Sequence, residues 1–388
     1  MNVMKLCRDT TMRDKVRRWR DHSKSVVLIR EGGFSLIELM IAMGIAVILS
    51  TALAVIFSTS VQTRAQIDRD GQKIENGRYA IDVISNEVRM AGFLGGYAAP
   101  STTTYAWVSP CKTAVADLGW DGTTSPVQMP HLIFGYKGRE AAGTVVDLST
   151  QIASASVLGC LTNYKSGTDI LTIRRASSTF VAATAADGTN TYMQASDCVG
   201  QTGFSSETPF VVKVTAALFT LNQLQNVSGT IKCDSTLTKK PIAQMFVRTY
   251  YVASCNTCSP SSDGIPTLKV AELSAGAISI RSLAPGIEQL HVEYGLDTSG
   301  DGAVDGLAYT LADNNTATAN VWPNVVAAKI YVVARNQDKE TTSGFADTKT
   351  FTLGQLTVPA ATGADQSYKR KSFSSTVKLI NRAGLRER

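Results

Sequence analysis

Asp297-Thr298-Ser299-Gly300-Asp301-Gly302-Ala303-Val304-Asp305-Gly306 sets oxygen-bearing side chains at its first, third and fifth positions, a glycine at the sixth and another aspartate at the ninth. That spacing suits a hard divalent cation, because carboxylate, hydroxyl and carbonyl oxygens can ring one point while the glycine permits a sharp turn between them. The expected metal is calcium. Asp297, Ser299, Asp301 and Asp305 would offer side-chain oxygens, directly or through water, and Ala303 its backbone carbonyl. The pattern departs from a full EF-hand-like loop at Ala308, where a bidentate Glu belongs, so Asp313 or another distant carboxylate would have to complete the shell. An Asp/Gly-rich turn without an ion is the plainer alternative.

A second constellation is Gly32-Gly33-Phe34-Ser35-Leu36-Ile37-Glu38, a small-residue step placed directly before a long apolar run. Phe34 to Phe57 is 24 residues with a single charge, Glu38. As a helix it would extend about 36 Å, enough for a hydrocarbon core of about 30 Å. Upstream, residues 1–33 carry nine Lys or Arg against four acids, a net of +5 that holds this end in the cytoplasm and sends the remainder outward. An ordinary secretory signal is cut after its apolar stretch, whereas here the Gly-Gly step precedes it. A carboxylate inside a membrane helix costs roughly 2.5–3.5 kcal/mol at the centre and less near the interface, so Glu38 calls for a partner. A neighbouring subunit's N-terminal amine would supply one; a Glu snorkelling at the membrane surface is the bland reading.

Cysteines form the third set. Of seven, only Cys7 precedes the apolar run, while Cys111, Cys160, Cys198, Cys233, Cys255 and Cys258 follow it into a compartment that should be oxidising. Sequence neighbours are the favoured partners: Cys255 with Cys258 as a local staple, Cys111 with Cys160, and Cys198 with Cys233. Cys255-Asn256-Thr257-Cys258 also has the C-x-x-C form of a redox dithiol or half a zinc site. It is followed by the loop-forming Ser259-Pro260-Ser261-Ser262-Asp263-Gly264, and no second pair stands nearby, so a staple is preferred.

These residues need elements to position them. Ile67, Ile74, Ile81 and Val88 recur every seven residues with Ile84 beside them, among charged neighbours, which extends the helix to about Ala91 with one apolar stripe. Gly92, Gly95, Gly96 and Pro100 then stop it, and Gly71 and Gly77 are places where it could loosen. A joint between two separate helices near Ser58–Thr63 is the alternative. Short β-like runs follow: His131–Tyr136, Asp169–Arg174, Phe210–Leu221, Gln244–Ala253, Thr267–Leu273, Ile287–Tyr294, Ala327–Arg335 and Ser372–Leu379. Gln244–Ala253 and Thr267–Leu273 read as a hairpin around the Cys255/Cys258 loop, and Ala182–Asn190 as a surface loop. The fold class is α+β, a long N-terminal helix packed on a large β-rich domain. The divisions are 1–33 (leader), 34–57 (membrane half of the helix), 58–91 (amphipathic half) and 92–388 (exported domain).

The Gly33-Phe34 junction with Glu38 resembles the type IV prepilin family. Tyr294-Gly295-Leu296 before the Asp loop, the run Trp322-Pro323-Asn324-Val325-Val326-Ala327-Ala328-Lys329-Ile330-Tyr331-Val332-Val333-Ala334-Arg335 and the closing Phe373–Arg382 segment are similar to the PilW family of minor pilins. Residues 100–280 resemble nothing further. The resemblance implies that a prepilin peptidase cuts after Gly33 and methylates Phe34, leaving Glu38 as the fifth mature residue. It also implies a low-abundance subunit that joins other minor pilins and tip proteins on the inner-membrane assembly platform, primes pilus assembly and ends at or near the tip. Met4 and Met12 offer alternative starts for a leader longer than many in the class.

A type II secretion pseudopilin shares the anchor and Glu38, although pseudopilins are usually shorter. A membrane-tethered periplasmic enzyme is the rival of a different class. Against it, only His131 and His291 follow the leader, neither G-x-S-x-G nor H-E-x-x-H occurs, and the expectation is a non-enzyme. Those histidines read as strand-surface or core residues, and Trp107, Trp120 and Met245 as packing residues. Beyond the leader 29 basic residues face 28 acidic ones, so charge gives no indication of nucleic-acid binding.

Overall fold

The computed structural model describes residues 33–148, 158–227, 229–233, 239–306, 309–312, 321–340 and 344–386. They fall into two units, residues 1–63 and 64–388, and one α-helix, Leu36–Met90, contributes to both. The helix is unbroken through residues 58–63.

In the first unit every described residue is exposed, including Leu36, Ile41, Ile48 and Phe57, and the run is long and apolar enough to cross a membrane. Its hydroxyls are satisfied locally. Ser50, Thr51, Thr59 and Thr63 donate to the carbonyls of Ala46, Ile48, Ile56 and Thr59 at 2.7, 2.8, 3.0 and 2.8 Å, which removes much of the cost of holding them in an apolar medium.

In the second unit the helix buries Lys73, Gly77, Ala80, Ile81, Ile84, Ser85 and Val88. The expected stripe is thus correct in its C-terminal part and too long at its start: Ile67 is 63% exposed. Gly77, expected as a loosening point, is a close-approach position, since a Cβ there would overlap the Phe373 ring.

The helix packs on two antiparallel sheets. A seven-stranded sheet runs Ala277–Pro285, Thr267–Ser274, Ile242–Ala253, Ile170–Val181, Ile133–Tyr136, with Asp187–Ala195 and Phe210–Thr215 joined through Ile242–Ala253. A four-stranded sheet runs Thr310–Leu311, Ile287–Leu296, Val325–Arg335, Arg370–Lys378. Alternating apolar residues face inward, and Ile84, Val88, Ile133, Leu171, Tyr250, Val252, Val292 and Ile330 meet in the main core. The hairpin of Ile242–Ala253 with Thr267–Ser274 has the expected antiparallel register, Tyr250 opposite Val270.

Three local readings change. Asp187 opens a strand where a loop was expected, because its Oδ1 accepts the Thr189 and Asn190 amides at 2.9 and 2.8 Å and turns the chain into the sheet. The strand from Phe210 ends at Thr215 in a 3-10 turn, Ala216–Leu218. After the last strand comes a short helix, Ile380–Arg386, where the sequence reading assigned no element.

Glu87 locks helix to sheet. Its carboxylate accepts Arg175 Nε and Nη2 at 2.9 and 2.8 Å and Arg248 Nη1 at 2.6 Å, while Arg248 also reaches Glu272 at 3.0 Å. Both guanidiniums lie over the Phe246 ring. Burial pushes the Glu87 pKa up, but the two arginines outweigh it and the net shift is downward. Glu87→Ala would strand the half-buried Arg175 and leave Arg248 with Glu272 alone, and should cost about 2–4 kcal/mol, read as a lower denaturation midpoint at unchanged slope.

Candidate functional site

At the start of the helix Phe34 is 88% exposed and a Cβ at Gly33 would touch nothing within 4 Å. Glu38 does not stand idle. Its Oε2 accepts the Ser35 amide at 3.0 Å, and the Ser35 hydroxyl accepts the Ile37 amide at 3.4 Å. Glu38 supplies the carboxylate half of a capping box, the Ser35 hydroxyl caps the Ile37 amide instead of the Glu38 amide, and the carboxylate puts a negative charge at the positive end of the helix dipole. The S-x-x-E spacing was visible in the sequence and carries a role for Glu38 that the membrane argument missed.

The Asp loop lies in the second unit, between the strands Ile287–Leu296 and Thr310–Leu311. Asp297 is fully buried: Oδ1 accepts the Ser299 hydroxyl at 3.2 Å and the Gly300 amide at 2.6 Å, and Oδ2 accepts the Gly302 amide at 3.0 Å. Asp301 Oδ1 accepts the Ala303 amide at 2.8 Å, which fixes the turn that Ala303 occupies. Asp305 is exposed and takes the Thr298 hydroxyl and amide and the Ser299 amide. Its pKa is pushed down to about 2, chiefly by the Thr298 hydroxyl and then by the Thr298 amide. The loop closes through Asp305 N–H to the Leu296 carbonyl and Asp297 N–H to the Asn324 carbonyl, both at 2.8 Å.

One oxygen each from Asp297, Asp301 and Asp305 lies within 4.8 Å of the others. Oxygens around a single calcium at 2.3–2.6 Å are separated by no more than about 5 Å, so the donor set fits that ion. Ser299 is in the same ring, bonded to Asp297. Ala308 and Asp313, the positions concerned in closing the shell, lie outside the described residues.

The structure joins Cys111 to Cys160, Cys198 to Cys233 and Cys255 to Cys258, with Cα separations of 5.6, 5.9 and 5.3 Å. Cys7 lies outside the described residues. The Cys255–Cys258 loop is also held by Asp263, whose carboxylate accepts the Asn256, Thr257 and Ile265 amides at 3.0, 2.8 and 3.0 Å. With both sulfurs in a bond, the C-x-x-C segment is a hairpin staple rather than a dithiol or a zinc half-site.

Both histidines are core residues. His131 is 1% exposed under Tyr105, and His291 is 0% exposed with Nδ1 2.8 Å from Asp169 Oδ2 and Nε2 3.7 Å from Glu293 Oε1. Trp107 donates to the Tyr136 hydroxyl at 2.8 Å, Trp120 meets Phe210 edge to face, and Met245 is buried in a second core cluster.

An exposed apolar helix entered through Gly33-Phe34 and followed by a disulfide-bearing β-rich domain resembles the arrangement of type IV prepilin-like proteins. A family model for the prokaryotic N-terminal methylation motif matches residues 29–54. Within that class the resemblance is to the PilW family: the model for type IV pilus-assembly protein W matches residues 249–381, which include the strands Ile287–Leu296, Val325–Arg335 and Arg370–Lys378 and the Asp loop between them. Among solved structures, the type IV-like pilin TTHA1219 from Thermus thermophilus is similar at 15% identity, over 41% of this chain and 75% of that chain, with a TM-score of 0.22. That likeness is too loose to carry an argument. No curated protein matches the chain.

Proposed function

We propose that the chain is a minor type IV pilin, a structural subunit that helps prime pilus assembly and resides at or near the tip. The observation that carries this reading is the Gly33-Phe34 junction ahead of a wholly exposed apolar helix, in a chain whose C-terminal part matches the PilW family. Residues 1–33 act as the cytoplasmic leader, 34–57 as the membrane-spanning half of the helix, 58–91 as its amphipathic half, and 92–388 as the exported domain. Before assembly the protein is a single-pass inner-membrane protein with a periplasmic domain; afterwards it belongs to the fimbrium. Its partners are prepilin peptidase, the assembly platform, other minor pilins and tip proteins. The PilW match favours a pilus over a type II secretion pseudopilus.

Mass spectrometry of the native protein tests the class. The mature chain should begin at a methylated Phe34, and a protein left uncut before residue 34, or released by cleavage after the helix, removes the proposal.

The Asp297–Asp305 loop binds calcium in this reading, supported by the converging oxygens of Asp297, Asp301 and Asp305. When bound, the ion would supply a positive centre to a loop whose carboxylates now rely on amides and hydroxyls. Calorimetry of the full chain in detergent should register calcium binding, and Asp301→Ala should weaken it by about tenfold or more, since affinity follows the count of charged ligands. The absence of calcium heat in the unaltered protein would dispose of the site.

A further inference from the structure

Between the segment Ala99–Tyr105 and the Asp loop lies a cavity of about 700 Å³, within the size range of small-ligand sites. Ser101, Thr103, Thr298, Asn324 and Arg382 contribute polar groups to its wall, Tyr105 and Pro323 contribute apolar surface, and among the described residues no acidic side chain lines it. Arg382 is 9% exposed. Its Nη1 donates to the Tyr105 hydroxyl at 2.8 Å, its Nη2 to the Pro323 carbonyl, and its guanidinium lies over the Tyr105 ring. A guanidinium has five N–H donors, so these two bonds leave capacity for a further acceptor. Among the described residues no carboxylate forms an ion pair with it.

Two more observations place uncompensated polarity here. Thr103 is 8% exposed, lines the cavity, and its hydroxyl has no hydrogen-bond partner. Beside Tyr105, His131 is stacked with its ring 9° from the phenol plane and neither ring nitrogen bonded. Behind it Arg174, 1% exposed, donates to the His131 and Val108 carbonyls at 2.8 Å each, again with no carboxylate ion pair among the described residues. Burial, with the charges of Arg174 and Arg382, pushes the His131 pKa down to about 4, so the imidazole is neutral at pH 7. Among the described residues neither arginine therefore has a carboxylate partner, and the neighbouring acids, Asp297 and Asp305, are engaged by the amides and hydroxyls of their own loop. A low-dielectric wall strengthens such a field, and an isolated buried charge is costly until a counter-charge arrives.

We propose that this cavity binds a small carboxylate-bearing ligand, with Arg382 as the charge partner and Thr103 among the groups that bond the rest of the molecule. Acidic sugars and acidic peptide ends share that chemistry. The site is distinct from the calcium loop, although Thr298 and Gly300 belong to both surroundings.

The test is calorimetry of the full chain in detergent, with calcium present throughout, against two matched pairs: galacturonate and galactose, N-acetylglutamate and N-acetylglutamine. In at least one pair the acid should bind about tenfold or more tightly than its neutral counterpart, the expected scale for one charge-assisted contact. The pair that responds identifies the ligand as sugar-like or peptide-like. Arg382→Gln should erase the preference. Ser101→Glu, on an exposed residue at the cavity wall, should weaken the acid by repulsion without touching the Arg382 contacts, and it keeps the test valid if Arg382→Gln misfolds. No preference in either pair, or a preference that survives both substitutions, overturns the proposal.

Discussion

Glu38→Ala should leave the protein in the membrane and remove it from the filament. Loss of the carboxylate relieves part of a membrane cost of roughly 2.5–3.5 kcal/mol at the bilayer centre, smaller near the interface, so insertion should be unharmed or improved. Loss of the capping box subtracts about 1 kcal/mol from the helix start, a small term beside the apolar run that follows. What disappears is the one acidic group in the 34–57 segment able to meet an incoming subunit's amine. Immunoblots should therefore find the variant at ordinary levels in membranes and absent from sheared pili. Ser35→Ala, which removes the hydroxyl that caps the Ile37 amide and spares the carboxylate, separates the two roles: it should still be incorporated. Incorporation of Glu38→Ala at the ordinary level would defeat the pairing.

Asp169→Ala should be the most destabilising single change in the second unit, at about 3–5 kcal/mol. Asp169 is 1% exposed; its Oδ2 takes His291 Nδ1 at 2.8 Å and the Val292 amide at 3.0 Å, and its Oδ1 takes the Gly138 amide at 2.8 Å. One carboxylate thus fastens the entry of Ile170–Val181, in the larger sheet, to Ile287–Leu296, in the smaller. Removing it orphans two buried amides and leaves His291 with Glu293 alone, whose own carboxylate also accepts the Gln355 amide.

The same pair sets a pH dependence. Burial alone would lower the His291 pKa, but the Asp169 charge and hydrogen bond, reinforced by Glu293, raise it to about 9. A raised histidine pKa contributes stability that is fully present below its unfolded value near 6.5 and is lost as pH climbs through the folded value. Denaturation midpoints should therefore fall between pH 6.5 and 9.5, and His291→Gln should flatten that slope. An unchanged slope in His291→Gln would show that another group governs it.

How far the sequence reached follows from the range of the forces involved. The helix was legible because apolar runs and heptads are local periodicities, and its end at Met90 matches the glycine stop signals. Cysteines adjacent in sequence indeed found one another, and the carboxylates of Asp297, Asp301 and Asp305, close in sequence, lie close in space. Contacts made across the chain were not legible. Glu87 meets Arg175 and Arg248 from 88 and 161 residues away, and each alone reads as a solvated charge. Ile380–Arg386 follows a strand without a pause, and Asn381 reaches back 291 residues to the Met90 carbonyl. Ile67 kept to the heptad yet stays exposed, because periodicity marks a face and only tertiary packing decides where coverage begins. The cavity beside Arg382 draws on residues near 100, 300, 323 and 382, a grouping no local pattern encodes.

The Ser35 amide that holds Glu38 lies beyond the Gly33-Phe34 bond, so the proposed scission would leave this contact in place. On the proposed reading, a solitary subunit in lipid would keep its acid parked on this donor, and a filament would have only to outbid one backbone amide with a full positive charge.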